Sequence, residues 1–201
     1  ATAGVDAPRI GILRLPHIAN FDDFDPLLQE PGLRVDYVHP GAALPGDLTL
    51  VIIPGTKATL SDLAFVREQG WDIDIEAHVR RGGRVLGICG GHQILGRRIH
   101  DPDGLEGAPG VAQGLGYLDV TTTLLPMKHL RRVQGHCRAN GQPFSGYEMH
   151  LGLTSGLGAA PSPPMGVLRA ATFIACSPAR SCAAHSWRIS GSLGSCARIR
   201  R

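Results

Sequence analysis

The pattern of apolar and polar positions along this 201-residue chain switches repeatedly between short apolar runs and helix-like spacing. Arg9-Ile10-Gly11-Ile12-Leu13-Arg14-Leu15 is a short apolar run closed by Pro16 and predicts a first strand. Leu33-Arg34-Val35-Asp36-Tyr37-Val38 alternates with period two, which predicts a second strand nearer a sheet edge. Leu48 to Ile53 is almost continuously apolar and ends at Pro54-Gly55, as a buried parallel strand does. Arg84-Val85-Leu86-Gly87-Ile88-Cys89 predicts a fourth. Between the last two, Ser61-Asp62 resembles an N-cap before an apolar face of Leu63, Phe65 and Val66. A second helix is expected from about Asp72 to Arg81, stopped by Gly82-Gly83. This alternation implies an α/β fold, a doubly wound and mostly parallel sheet covered on both faces. Ligands in such sheets bind at the carboxyl ends of the strands, where both Pro54-Gly55 and Cys89-Gly90 fall.

The pattern lapses after about Thr154. From Leu157 onward the chain is rich in Ala, Ser, Pro, Cys and Arg, and all 17 acidic residues precede it. The expected organisation is therefore a linker over 1–7, one domain over 8–155, and an aberrant, poorly ordered tail over 156–201. Composition adds exclusions. With 43% hydrophobic residues and only 5% aromatics, small aliphatic side chains must build the core. A net charge of +3, with no basic run in the first 150 residues, gives no reason to expect a nucleic-acid partner or an anionic membrane. No stretch of about 18 apolar residues offers a membrane span. Five cysteines without framework spacing point to a reducing, cytoplasmic setting.

The segment Gly87-Ile88-Cys89-Gly90-Gly91-His92-Gln93-Ile94-Leu95-Gly96 carries the chemistry. A buried strand that ends at a cysteine, two glycines and an immediate helix form the recipe of a nucleophile elbow. Such a turn lifts the thiol above the sheet, and the helix start lowers a thiol pKa and offers amides to an oxyanion. Taken alone, a cysteine beside glycines also fits a buried structural residue.

The same segment resembles the nucleophile motif of class I glutamine amidotransferases, in which a cysteine attacks the glutamine carboxamide and releases ammonia through a glutamyl thioester. Further segments resemble the amidotransferase domain of the cobyric acid synthase family. They are Arg14-Leu15-Pro16-His17-Ile18-Ala19-Asn20-Phe21-Asp22-Asp23-Phe24-Asp25-Pro26-Leu27, Ile53-Pro54-Gly55-Thr56-Lys57-Ala58-Thr59, Asp101 to Gly107, Gly114 to Val120 and Ser145-Gly146-Tyr147-Glu148-Met149-His150. The likeness runs from residue 8 to about 154 and implies a class I amidotransferase-like, flavodoxin-like fold. It implies Cys89 as nucleophile, with the amides of Gly90 and of the Pro54-Gly55-Thr56 loop as oxyanion hole; a plain turn glycine is the alternative at Gly55. Gln93 falls where the family lines its glutamine pocket, against the alternative of a solvent-facing helix residue. His92 reads as a partly exposed helix residue, too close in sequence to Cys89 to serve easily as its base.

The resemblance also implies partners. In the family a synthetase domain, normally on the same polypeptide, uses ATP and Mg²⁺ to activate corrinoid carboxylates for amidation in cobalamin biosynthesis. This chain holds no G-x-x-x-x-G-K-[ST] loop, so no cofactor is expected on it, and the ATP step belongs elsewhere. The family's catalytic histidine comes from a late stretch resembling Tyr-Leu-His-Gly-Leu-Phe, which is missing here. His150 lies in a segment that lines the site region and reads better as a structural residue than as the base. Without the late histidine the chain would be a catalytically inactive fragment. Codons able to encode Thr172-Phe173-Ile174-Ala175-Cys176-Ser177, read one base out of register, permit Tyr-Val-His-x-Leu-Phe. A frameshift near residues 156–165 would therefore account for the tail. Cys176, Cys182, His185 and Cys196 also raise a zinc site, but only Cys182 and His185 form a close pair, so no metal is expected.

Overall fold

The computed structural model describes residues 7–136, 143–156, 167–168 and 174–176. The expectations placed on most of the linker and of the tail, including Cys182, His185 and Cys196, lie outside these residues.

Four apolar runs form the central sheet as their spacing predicts. They are β1 (Arg9–Leu13), β2 (Arg34–Val38), β3 (Leu50–Ile53) and β4 (Arg84–Gly87). The order is β2-β1-β3-β4, closed at its far edge by a two-residue β9 (Val167–Leu168), and every pairing is parallel. The alternating strand β2 is the edge, and the continuously apolar β3 lies at the centre with all four residues buried.

Pleating sends alternate side chains of β3 to opposite faces, and each face has its own cover. Val51 and Ile53 pack with Leu63 and Val66 of α2 (Thr59–Glu68) and Trp71, Ile75 and Val79 of α3 (Trp71–Arg80). Leu50 and Ile52 pack with Phe24 and Leu27, from a 3₁₀ turn (Phe21–Phe24) and the single-turn α1 (Asp25–Leu28). This sheet is doubly wound, and its strand order is that of flavodoxin-like folds.

One expectation about α2 is corrected. The helix begins at Thr59, two residues before Ser61, so Asp62 lies inside it and caps nothing. The amide of Leu60 instead bonds Glu106 Oε2 at 2.7 Å, a partner 46 residues away. A tertiary contact supplied the cap that local sequence was expected to provide.

A second sheet, which the periodicity did not reveal, follows α4 (Gly90–Ile94). Its order is β10-β8-β7-β5-β6, with β5 (Arg98–Asp101), β6 (Gly110–Gln113), β7 (Val120–His136), β8 (Pro143–Gly156) and β10 (Ile174–Cys176). The pairings are antiparallel except β5 with β7. Ile99, Val120 and Leu124 join the core on the α2–α3 side, which fastens this sheet to the first. Among the described residues no helix is long and apolar enough to cross a membrane.

Candidate active site

Three loops leave the carboxyl ends of β1, β3 and β4 and meet. Their meeting depends on glycines. A Cβ on Gly91 would overlap the Ile53 carbonyl and lie 2.8 Å from Pro54 O, and one on Gly87 would lie 2.5 Å from Gly91 O. With hydrogen in those places, the start of α4 settles directly onto the ends of β3 and β4.

Between them stands Cys89, at φ 49° and ψ −111°. It and Asn20 are the only non-glycine residues at positive φ among those described. Such a backbone costs roughly 1–3 kcal/mol and persists only where its surroundings hold it. Here Gly91 N–H donates to Ile88 O at 2.8 Å, and His92 N–H donates to Cys89 O at 3.0 Å. Cys89 as a residue is half-buried at the carboxyl end of β4 rather than sealed in the core.

The β3 loop closes against this turn. A Cβ built on Gly55 would lie 3.5 Å from Cys89 Cβ, and one on Gly90 would lie 3.2 Å from the Thr56 nitrogen. The amides of Gly55, Thr56 and Gly90 donate to no backbone carbonyl among the described residues, whereas the Gly55 carbonyl accepts from Ala19 N–H at 2.7 Å. The Gly55 and Thr56 amides, left without a carbonyl partner, and the Gly90 amide, which turns to the Cys89 sulfur, are donors of the kind a developing oxyanion needs.

The electrostatics correct one expectation. The Cys89 thiol pKa is raised, chiefly by burial, with Asp23 adding to the rise and a bond from the Gly90 amide opposing it. Five residues of helix and one amide do not outweigh lost solvation. A thiol in this state needs a base to reach the thiolate.

Gln93 is 6% exposed, and its Oε1 accepts from Thr59 Oγ1 at 3.2 Å, tying α4 to the start of α2. The solvent-facing alternative is thereby excluded. His92 is partly exposed, as expected. His150 lies in β8 opposite His129 of β7, and its side chain is outside the described residues.

The sequence reading missed a polar cluster beneath the loop. Asp62, wholly buried, faces His17 Nδ1 at 2.8 Å and accepts from Thr56 Oγ1 at 2.5 Å. His17, Thr56 and Asp62 stand on three separate elements, and no local pattern signals their meeting. No group of three or more His, Cys, Asp or Glu suited to a metal occurs among the described residues.

Comparison with known proteins places this geometry in context. The family model for the CobB/CobQ-like glutamine amidotransferase domain matches residues 9–172. The cobyric acid synthase of Paracoccus denitrificans is 63% identical over 142 residues, which are 71% of this chain and 29% of that protein. That of Bradyrhizobium sp. strain BTAi1 is 58% identical over 151 residues, 75% of this chain and 31% of the relative. The chain thus spans about a third of the length of these relatives. Among solved structures, PurLQS from Thermotoga maritima superposes with a TM-score of 0.55 at 17% identity, covering 80% of this chain and 78% of the other. A structure described as a glutamine amidotransferase gives 0.54 at 19%, covering 76% and 75%. At such identities the two structures speak for the fold.

Proposed function

Because the chain belongs to the CobB/CobQ-like glutamine amidotransferase family, we propose that it is a glutamine-hydrolysing domain with Cys89 as nucleophile. The observation that carries this reading is the strained turn at half-buried Cys89, set close against the Gly55–Thr56 loop.

In the proposed reaction, Cys89 Sγ attacks the carboxamide carbon of glutamine and the carbonyl electron pair moves onto oxygen. The Gly90 amide and an amide of the Gly55–Thr56 loop receive that charge; removing one such donor elsewhere costs about 10²–10³ in rate. Collapse expels ammonia, which carries the proton the thiol gave up, and water then cleaves the glutamyl thioester. The family likeness assigns Gln93 to the glutamine pocket, and its tie to Thr59 would hold it there from α4.

By likeness to the cobyric acid synthases, the ammonia would serve a synthetase domain that amidates corrinoid carboxylates with ATP and Mg²⁺ in cobalamin biosynthesis, in the cytoplasm. None of those steps falls to this domain.

A second reading is a catalytically silent domain. It draws on the raised thiol pKa and on the missing late histidine stretch. Ammonia release from L-glutamine, repeated after iodoacetamide treatment and in Cys89→Ser, separates the two. Release lost under both treatments supports the hydrolase. Absent release, together with slow alkylation of Cys89, sinks it. Resequencing the DNA for residues 156–177 tests the tail: a displaced base there, whose correction restores release, assigns the silence to the shifted frame.

A further inference from the structure

The proposed reaction uses the amides of the 54–56 loop and leaves idle the carboxylate beneath them. Asp62 is 0% exposed, and a buried carboxylate is costly unless it is paired and hydrogen-bonded. It serves no helix end, since α2 starts three residues earlier with Leu60 N–H on Glu106.

Both Asp62 oxygens are held from outside the helix. One takes the Thr56 hydroxyl at 2.5 Å and the other faces His17 Nδ1 at 2.8 Å. Having donated to Asp62, the Thr56 hydroxyl accepts from Ala58 N–H at 3.1 Å. That fixes the Thr56 rotamer and turns its methyl toward Gly90, where a Cβ would lie 2.5 Å from Thr56 Cγ2. His17 closes the other side. Its carbonyl accepts from Lys57 N–H at 3.0 Å, and Ile18 bridges Thr56 in antiparallel register. Asp62 therefore grips the loop twice, through the Thr56 side chain and through the strand-like segment that runs beside it.

Resting on the glutamine-hydrolase reading, we propose that Asp62 is a positioning residue: it touches no substrate but holds Thr56 so that the loop amide and the Gly90 amide converge at Cys89. An aliphatic residue at 62 would leave the fold's apolar core untouched and free the loop. Displacing a group by about 1 Å can cost about 10²-fold in rate.

The test compares two reagents on one sulfur in the full chain. Iodoacetamide alkylates Cys89 without any oxyanion. The diazoketone 6-diazo-5-oxo-L-norleucine carries a glutamine-like carbonyl. Its diazo carbon takes the thiol proton, Sγ bonds that carbon as N₂ leaves, and the carbonyl oxygen lies where the amides converge. Asp62→Ala is expected to lower the diazoketone rate relative to the iodoacetamide rate by about tenfold or more, towards the ~10²–10³ of a lost donor. Thr56→Val should do the same and Thr56→Ser should restore the parent ratio, which keeps the test alive if Asp62→Ala does not fold. A parental ratio in both Asp62→Ala and Thr56→Val overturns the assignment. A parent chain with no preference for the diazoketone overturns the hydrolase reading, and this inference falls with it.

Discussion

Adding one methyl group at Gly55 should separate stability from reactivity. A Cβ there would meet Cys89 Cβ at 3.5 Å, Ile88 O at 3.8 Å and Ala19 Cβ at 3.9 Å, all ordinary van der Waals distances. The Gly55 backbone is not among those at positive φ, so alanine fits it without strain. Gly→Ala at a compatible site stabilises by about 0.4–1 kcal/mol, mainly by restricting the unfolded chain. In a protein this size that is a rise in Tm of roughly 1–4 °C. The methyl, however, would add bulk directly against Cys89, where the proposed reaction brings the carboxamide. Misplacing the reacting groups by about 1 Å costs up to ~10²-fold, so diazoketone labelling of Cys89 should fall towards that extent in Gly55→Ala. Thermal unfolding followed by circular dichroism, with labelling followed by mass spectrometry, reads both quantities. A loss of stability beyond about 1 kcal/mol, or unchanged labelling, would refute the placement of Gly55 against the thiol.

Gly91→Ala should behave in the opposite way. Its Cβ would overlap the Ile53 carbonyl and come within 2.7 Å of Ile53 C, both rigid backbone, so urea unfolding should show a loss of about 1–3 kcal/mol or more. Asp23→Asn removes a charge that raises the thiol pKa; the midpoint of the alkylation–pH curve should move to lower pH, and an upward move would contradict the site's electrostatics. His78 is 2% exposed, and its pKa is lowered by burial and by Arg81, against a raising bond to the Arg84 carbonyl. Its stabilising contribution is therefore complete above the unfolded value near 6.5 and is lost as pH falls through the lower folded value. His78→Gln should flatten the stability–pH curve below about 6.5, and an unchanged acid limb would count against the buried neutral ring.

The elements readable from sequence are those whose cause is local. An unbroken apolar run buries both faces of a strand, which is why Leu50–Ile53 sits at the centre and the alternating Arg34–Val38 at the edge. Gly82, at φ 84°, ends α3 where the glycine pair predicted. The second sheet had no such signal. Strand β7 opens with Val120 followed by three threonines and breaks register between Thr123 and Lys128, so neither a clean alternation nor an apolar run marks it. Thr122 Oγ1 finds Thr154 Oγ1 at 2.8 Å across the sheet, a pairing 32 residues apart that only closure of β7 on β8 creates.

The candidate site divides along the same line. Sequence alone determined that a cysteine would stand between a strand end and a helix start, with glycines on either side, because chain direction, propensity and side-chain size are local properties. The tertiary structure decided what surrounds that sulfur. It turned Asp62 inward from its expected cap, buried Gln93 and raised a thiol pKa that the turn by itself would lower. Burial and hydrogen bonding are sums over groups distant along the chain, and those sums do not exist until the chain has folded.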